Sequence, residues 1–120
     1  MSTTSPLLEM TPRQILDKLQ DSLGIGEGEL IQALGTNRRT LHRWRAGTAY
    51  PQVVARGRLE SLVHLQQRVA ETFTSPAAGR RWMAAPSRYL GGITPTEAIR
   101  AGRSDRVEAA LEAVDSGVFL

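Results

Sequence analysis

Apolar residues recur through most of this chain at intervals of three and four, the spacing of one helix face. Ile15, Leu16, Leu19 and Leu23 form a first stripe, and Thr11-Pro12 ahead of it is an opening signal, which predicts a helix to about Ser22. Gly24-Ile25-Gly26 breaks it. A second helix is expected over Glu27 to Leu34, with two acids at its positive end. Gly35-Thr36 makes a tight turn, and a third helix runs from about Asn37 to Arg45, stopped by Gly47. After Pro51 a long helix is predicted from about Gln52 to Phe73, with Leu59, Leu62, Val63, Val69 and Phe73 on one side. Thr74-Ser75-Pro76 starts another, which ends near Ala84. The next is opened by Thr94-Pro95 and ends near Ala101. Ser104 is expected to cap the last, where Val107, Ala110, Leu111 and Val114 repeat at i, i+3, i+4, i+7. No segment reads as a strand, so the expected architecture is all-α.

The punctuation is densest at the C-terminal end. Thr94 can accept a backbone bond as N-cap, Pro95 suits the first helical position, and Glu97 can reach back to complete a capping box. Gly91-Gly92 gives the backbone freedom just before that helix. Gly117 is placed to end the final helix in a left-handed turn, with Val118-Phe119 as the apolar contact beyond. A segment closed at both ends in this way is a folded unit. The division expected is a flexible arm over residues 1–10, a helical module over 11–73 and a second unit over 74–120.

Composition narrows the class. At 120 residues, 41% hydrophobic and 22% charged, the chain suits one compact domain or two small helical modules sharing a core. No apolar run approaches the ~20 residues of a membrane span, and no basic patch followed by an apolar stretch marks a secretory signal. There are no cysteines, which excludes disulfide and thiol chemistry and fits a cytoplasmic location. The net charge of +3 conceals an asymmetry. Residues 1–37 carry −3 and residues 82–120 carry −1, whereas residues 38–81 hold nine Arg against two Glu, a net +7. All basic residues but Lys18 are Arg, whose planar fork suits phosphate and guanine edges.

That charge falls on a recognisable pattern. From Glu29 to Gly47, Ala33 is small where two helices must approach, and Gly35 allows the turn between them. Leu30, Leu34, Leu41 and Trp44 hold the pair from inside, which leaves Arg38, Arg39, His42 and Arg43 outward or at the second helix's N-terminal end. The run resembles the helix-turn-helix of the Xre/phage-repressor class. The resemblance places Arg38, Arg39 and Arg43 at base-reading positions and Asn37 at the helix start, where it can meet phosphate; His42 is read as a surface residue or phosphate neighbour rather than a base reader. Arg45 and Thr48 are further phosphate candidates. A helix-turn-helix kept only for packing or dimerisation remains the alternative.

Catalytic chemistry is hard to find. His42 and His64 lie far apart, on different predicted helices, and neither has a legible partner for a metal site or a triad. The glycines of Gly24-Ile25-Gly26-Glu27-Gly28 follow a helix and lack the Lys of a phosphate loop. No catalytic residue, metal ligand or cofactor is nominated, and an enzyme is not expected.

The C-terminal third resembles the toxin-binding domain of the Xre/MbcA/ParS family of bacterial antitoxins. Trp82, Pro86, Leu90-Gly91-Gly92, Thr94-Pro95, Glu97-Ala98, Gly102, Val107, Leu111 and Gly117-Val118-Phe119 carry the likeness, from about Arg81 to Phe119. It departs from the usual pattern at Ser87-Arg88-Tyr89 and in the charge of Gly102-Arg103-Ser104-Asp105. The resemblance implies an antitoxin of a type II toxin–antitoxin pair, whose partner is a RES-domain toxin that consumes NAD⁺ and is obstructed at its cleft. The toxin-facing candidates are Tyr89, Leu90, Gly91, Gly92, Gly117, Val118, Phe119 and Leu120. Packing of Phe119 back on its own helix is the alternative for that residue. Trp82 is expected in the core, while Arg88, Arg100, Arg103 and Arg106 are candidate contacts to an acidic toxin surface. The N-terminal half is expected to bind operator DNA as a homodimer on two half-sites, with the long helix after Pro51 as a possible dimer surface. Two other readings stay open: a stand-alone transcriptional regulator whose C-terminal unit only dimerises, and a protein inhibitor without DNA binding.

Overall fold

The structure, a computed structural model, describes residues 10–117. The expectations for the arm over residues 1–10 (save Met10), and for Val118, Phe119 and Leu120, lie outside the described residues. Within them the chain forms helices α1 (Pro12–Leu23), α2 (Glu27–Leu34), α3 (Arg38–Ala46), α4 (Val53–Thr72), α5 (Pro76–Ala84), α6 (Pro95–Arg100) and α7 (Ser104–Ser116), and the described residues contain no strand.

Local chemistry accounts for most boundaries. At α1 the Thr11 hydroxyl accepts the Gln14 amide at 3.2 Å, and Gln14 Oε1 accepts the Thr11 amide at 2.8 Å, a reciprocal cap. The same exchange opens α6, where the two bonds between Thr94 and Glu97 are both 3.0 Å. Ser75 caps α5 through its hydroxyl and the Ala78 amide, with Pro76 next. The last helix differs from expectation: Arg103, not Ser104, holds the cap position and contributes no side-chain cap bond. Its guanidinium instead meets Asp105 through two 3.1 Å bonds, because Gly102 turns the chain with φ +76 and swings Ser104 into the first helical turn.

Packing joins the helices into one interior. Helix α4 is the axle: α1, α2, α5 and α7 all lie against it. This broadens its buried face beyond the predicted stripe, to Leu59, Leu62, Leu65, Gln66 and Val69, with Val63 and Phe73 half-buried. Similarly α7, held between α4 and α6, buries Ala113 and leaves Val114 half-buried. The buried cluster runs without a break from Ile15 to Leu111, across the Phe73–Thr74 junction. Each fully buried Leu, among them Leu16, Leu34, Leu65 and Leu111, contributes about 1.5–3 kcal/mol over its exposed state.

Helix α5 approaches α4 through Gly79, which is buried; a Cβ there would lie 2.8 Å from Val69 Cγ1. Trp82, half-buried one turn on, tilts against Phe73 with ring centroids 5.7 Å apart. Polar contacts line the α4–α7 seam: His64 Nδ1 lies 2.7 Å from Glu108, Arg68 donates to Glu112 at 3.1 Å, and the Thr72 hydroxyl meets Asp115 at 3.3 Å. Arg68 is therefore an interhelical contact.

Candidate functional site

Helices α2 and α3 form the helix-turn-helix. Gly35 ends α2 with φ +66, the left-handed value the turn requires, and Asn37 then caps α3, its Oδ1 accepting the Thr40 amide at 2.8 Å. That geometry leaves the Asn37 side-chain NH₂ as a donor beside the open amides of the first turn, a suitable place for an anion. Leu30, Ala33, Leu34, Leu41 and Trp44 are buried, as the sequence pattern requires.

The outward face of α3 carries the charge. Arg38, Arg39, His42, Arg43, Ala46 and Thr48 line one shallow, open depression. Arg38, Arg39 and Arg43 are exposed, and among the described residues they enter no ion pair. They are the cations of this face available to a polyanion.

The remaining candidates are held differently from expectation. His42 Nε2 lies 2.6 Å from Glu27 Oε1, so its ring ties α3 to the start of α2. Arg45 turns away from the depression, reaches Asp17 and Gln20 on α1, and is only 25% exposed at its side chain. Its Nε is buried without a hydrogen-bond partner among the described residues. Arg45 is thus held as a strut that sets α3 on α1, a role that the expectation of a phosphate contact did not include. The Thr48 hydroxyl donates to the Arg43 carbonyl at 3.3 Å, which commits its hydrogen to the end of α3. Glu27, Asp17 and Gln20 are not legible as partners in the sequence, since they lie 15 to 28 positions away.

The second candidate surface is the loop between α5 and α6. The Ser87 amide donates to the Ile93 carbonyl at 2.9 Å, and the Gly92 amide returns to the Ser87 carbonyl at 2.8 Å, closing a compact turn. Gly91 and Gly92 hold φ +75 and +97, which other residues adopt only with strain. Leu90 does not face outward as expected. At 7% exposure it is the anchor that plugs the loop into the core, because the closed turn directs it inward. Tyr89 and Ile93 are the exposed apolar side chains, at 39% and 41%. The Thr96 hydroxyl donates to the Met83 carbonyl at 2.9 Å and fixes α6 on α5. Gly117 ends α7 with φ +74.

Of the arginines expected to meet a partner, two have partners within the chain. Arg100 donates to Gln32 on α2 at 2.9 Å, and Arg103 is engaged by Asp105. The hydrogen bond and charge of Asp105 hold the Arg103 guanidinium above its usual range, and the reciprocal bond lowers Asp105. Arg88 and Arg106 are exposed. Glu97 is held below the usual carboxylate range by the backbone bond from Thr94, then by the Thr94 side chain. These shifts are those of caps and a surface pair. Among the described residues no group of His, Asp and Glu converges as a metal cage would, and no helix is long and apolar enough to cross a membrane.

Comparison with known proteins agrees with this layout. Residues 68–117 match the antitoxin Xre/MbcA/ParS C-terminal toxin-binding domain, a match that begins within α4 and so reaches further back than Arg81. The chain is 31% identical over 100 residues to the mycobacterial cidal antitoxin MbcA of Mycobacterium tuberculosis and of Mycobacterium bovis, covering 83% of this chain and 88% of the relative. Its fold is similar to that of a chain in the crystal structure of the M. tuberculosis MbcT–MbcA toxin–antitoxin complex. The TM-score is 0.67 at 28% identity, over 90% of this chain and 96% of that one.

Proposed function

The chain belongs to the Xre/MbcA/ParS family and is an antitoxin of a toxin–antitoxin system; from that premise we propose that it blocks a RES-domain, NAD⁺-consuming toxin and represses its own operon. The observation that carries the reading is the junction of two surfaces on one core. A toxin-binding domain over residues 68–117 packs against a helix-turn-helix whose outward face presents Arg38, Arg39 and Arg43.

Inhibition is steric. The α5–α6 loop presents Tyr89, Ile93 and the Gly91-Gly92 backbone as a rigid projection, and Gly117 ends α7 in a left-handed turn. A rigid projection loses little conformational freedom when it enters a cleft, which favours tight occupancy. Together with Val118, Phe119 and Leu120 these residues form the proposed contact to the toxin's NAD⁺ cleft. The antitoxin supplies no reacting group.

Repression rests on α3. Arg38, Arg39 and Arg43 reach base edges in the major groove, where a bidentate bond to guanine is worth about 1–3 kcal/mol of discrimination. Asn37 and the first amides of α3 hold phosphate. Two such helices on a homodimer read two half-sites of a palindromic operator in the cytoplasm.

The test is co-expression with the toxin encoded beside this chain, scoring growth and cellular NAD⁺. The expected result is that the toxin alone arrests growth and depletes NAD⁺, and that this chain restores both. Rescue of growth with no change in NAD⁺ removes the RES assignment. Failure of the chain to bind DNA from its own promoter removes the repressor role.

A further inference from the structure

Arg58 belongs to α4, outside the helix-turn-helix, yet its charged end lies on that motif. Gly35 is the residue that ends α2, and a Cβ built there would collide with Arg58 Nη1 and come within 3.3 Å of Cζ. The guanidinium therefore rests on the backbone of the α2–α3 turn, in space that a glycine leaves open. Gly35 thus answers two demands at once, a φ of +66 and this approach.

The side chain is placed there with its donors unspent. The turn closes on its own backbone, the Gly35 and Thr36 amides donating to the Gln32 and Ile31 carbonyls at 3.2 and 3.1 Å. No hydrogen bond or ion pair joins Arg58 to another described residue. Asp105 lines the same groove but is engaged by Arg103. Arg58 is also exposed, so a planar fork of five donors faces water from a fixed place, ready to grip an anion. Other arginines of the basic middle segment are used differently. Arg45 and Arg68 are tied to Asp17 and Glu112, and Arg80 lays its stem, not its guanidinium, on Gly24.

We propose that Arg58 is a DNA-backbone contact supplied by α4, gripping together with Asn37 the phosphate at the start of α3; this rests on the operator reading. Gly35 and Asn37 are two residues apart, at most about 7 Å, so one phosphodiester lies within reach of both side chains. Asn37 brings its NH₂ and the first amides of α3, and Arg58 adds a full charge from a different helix. Such a contact carries no base preference of its own. It fixes the register in which Arg38, Arg39 and Arg43 meet the base edges, because a phosphate held from two helices resists rocking of α3 in the groove.

The test titrates a labelled fragment of the chain's own promoter with the full-length protein over a series of salt concentrations. Arg58→Ala is expected to lower the slope of log K against log salt by about 1 for each copy bound. The affinity lost between 50 and 200 mM salt then becomes about 3.5-fold smaller per copy. Arg58→Lys keeps the charge and is expected to keep the slope. Melting temperature, sedimentation without DNA and toxin capture should match the wild type in both variants. Weaker binding by Arg58→Ala at an unchanged slope makes the residue a prop for the turn and overturns the contact. A shift of Arg58→Ala to a smaller sedimenting species assigns it to pairing of copies, and overturns it too. So does an equal fall in slope with Arg106→Ala, an exposed arginine on α7, since net charge alone would then be responsible. A wild type that binds while Arg58→Ala keeps its slope removes only this contact; a wild type that does not bind its promoter removes the repressor role and the contact with it.

Discussion

His42 on α3 and Glu27 on the helix before it meet at 2.6 Å, so a residue on the surface proposed to face DNA is already engaged within the fold. A ring held in this way is a poorer reader of bases than the three free arginines around it. His42→Ala is expected to lower operator affinity less than Arg39→Ala or Arg43→Ala in side-by-side titrations. It should also cost under about 1 kcal/mol of stability, the usual range for an exposed pair. A loss of affinity matching that of the arginines would return His42 to the reading set.

Replacing Arg38, Arg39 and Arg43 together by Ala is expected to abolish specific operator binding and leave the melting temperature and toxin capture unchanged, since all three are exposed. Single variants should each reduce the slope of log K against log salt by about 1 where the residue meets phosphate. A triple variant that still binds its operator with wild-type salt dependence would remove α3 from the interface.

Arg45 should behave in the opposite way. Its guanidinium is tied to Asp17 and Gln20 and partly buried, so Arg45→Ala is expected to cost about 1–2 kcal/mol in chemical denaturation, since it loses charge-assisted bonds. The salt slope of DNA binding should not change. A changed slope with unchanged stability would make Arg45 a phosphate contact after all.

Gly79 permits the α4–α5 approach. A methyl group 2.8 Å from Val69 Cγ1 cannot be absorbed by a stiff β-branched neighbour, so Gly79→Ala is expected to destabilise by about 1–3 kcal/mol. Gly79→Ala combined with Val69→Ala should recover part of that loss in the same denaturation assay. Full stability in the single variant would show that the helices separate freely.

The capping carboxylate gives a pH dependence of definite sign. Glu97 is depressed below its ordinary value of 4.5 by the Thr94 amide, then by the Thr94 hydroxyl. A depressed carboxylate contributes stability that is present above about 4.5 and lost as pH falls through its folded value. Thermal stability of the wild type should therefore fall more steeply below that pH than that of Glu97→Gln, whose amide oxygen can still accept the Thr94 amide. Parallel acid profiles for the two proteins would show that Glu97 does not contribute through its charge.

Much of this protein is legible without its fold because the deciding interactions are short-ranged. A Thr94 hydroxyl finds the Glu97 amide three positions on, Gly24, Gly35, Gly47 and Gly117 end helices where the chain must turn left-handed, and Leu30, Leu34, Leu41 and Trp44 repeat at the spacing of a packed face. All seven described helices and the outward set Arg38, Arg39 and Arg43 follow from such local rules. Tertiary structure decided what depends on residues distant in sequence. It turned Arg45 to Asp17 and His42 to Glu27, drew Leu90 inward as a plug, and set Arg68 against Glu112 across 44 positions. It also widened the buried face of α4 to Leu65 and Gln66 and left Val53 and Val54 uncovered. Periodicity records that a helix has an apolar side; how many neighbours will cover it, and which charges they bring, is fixed only when the helices meet.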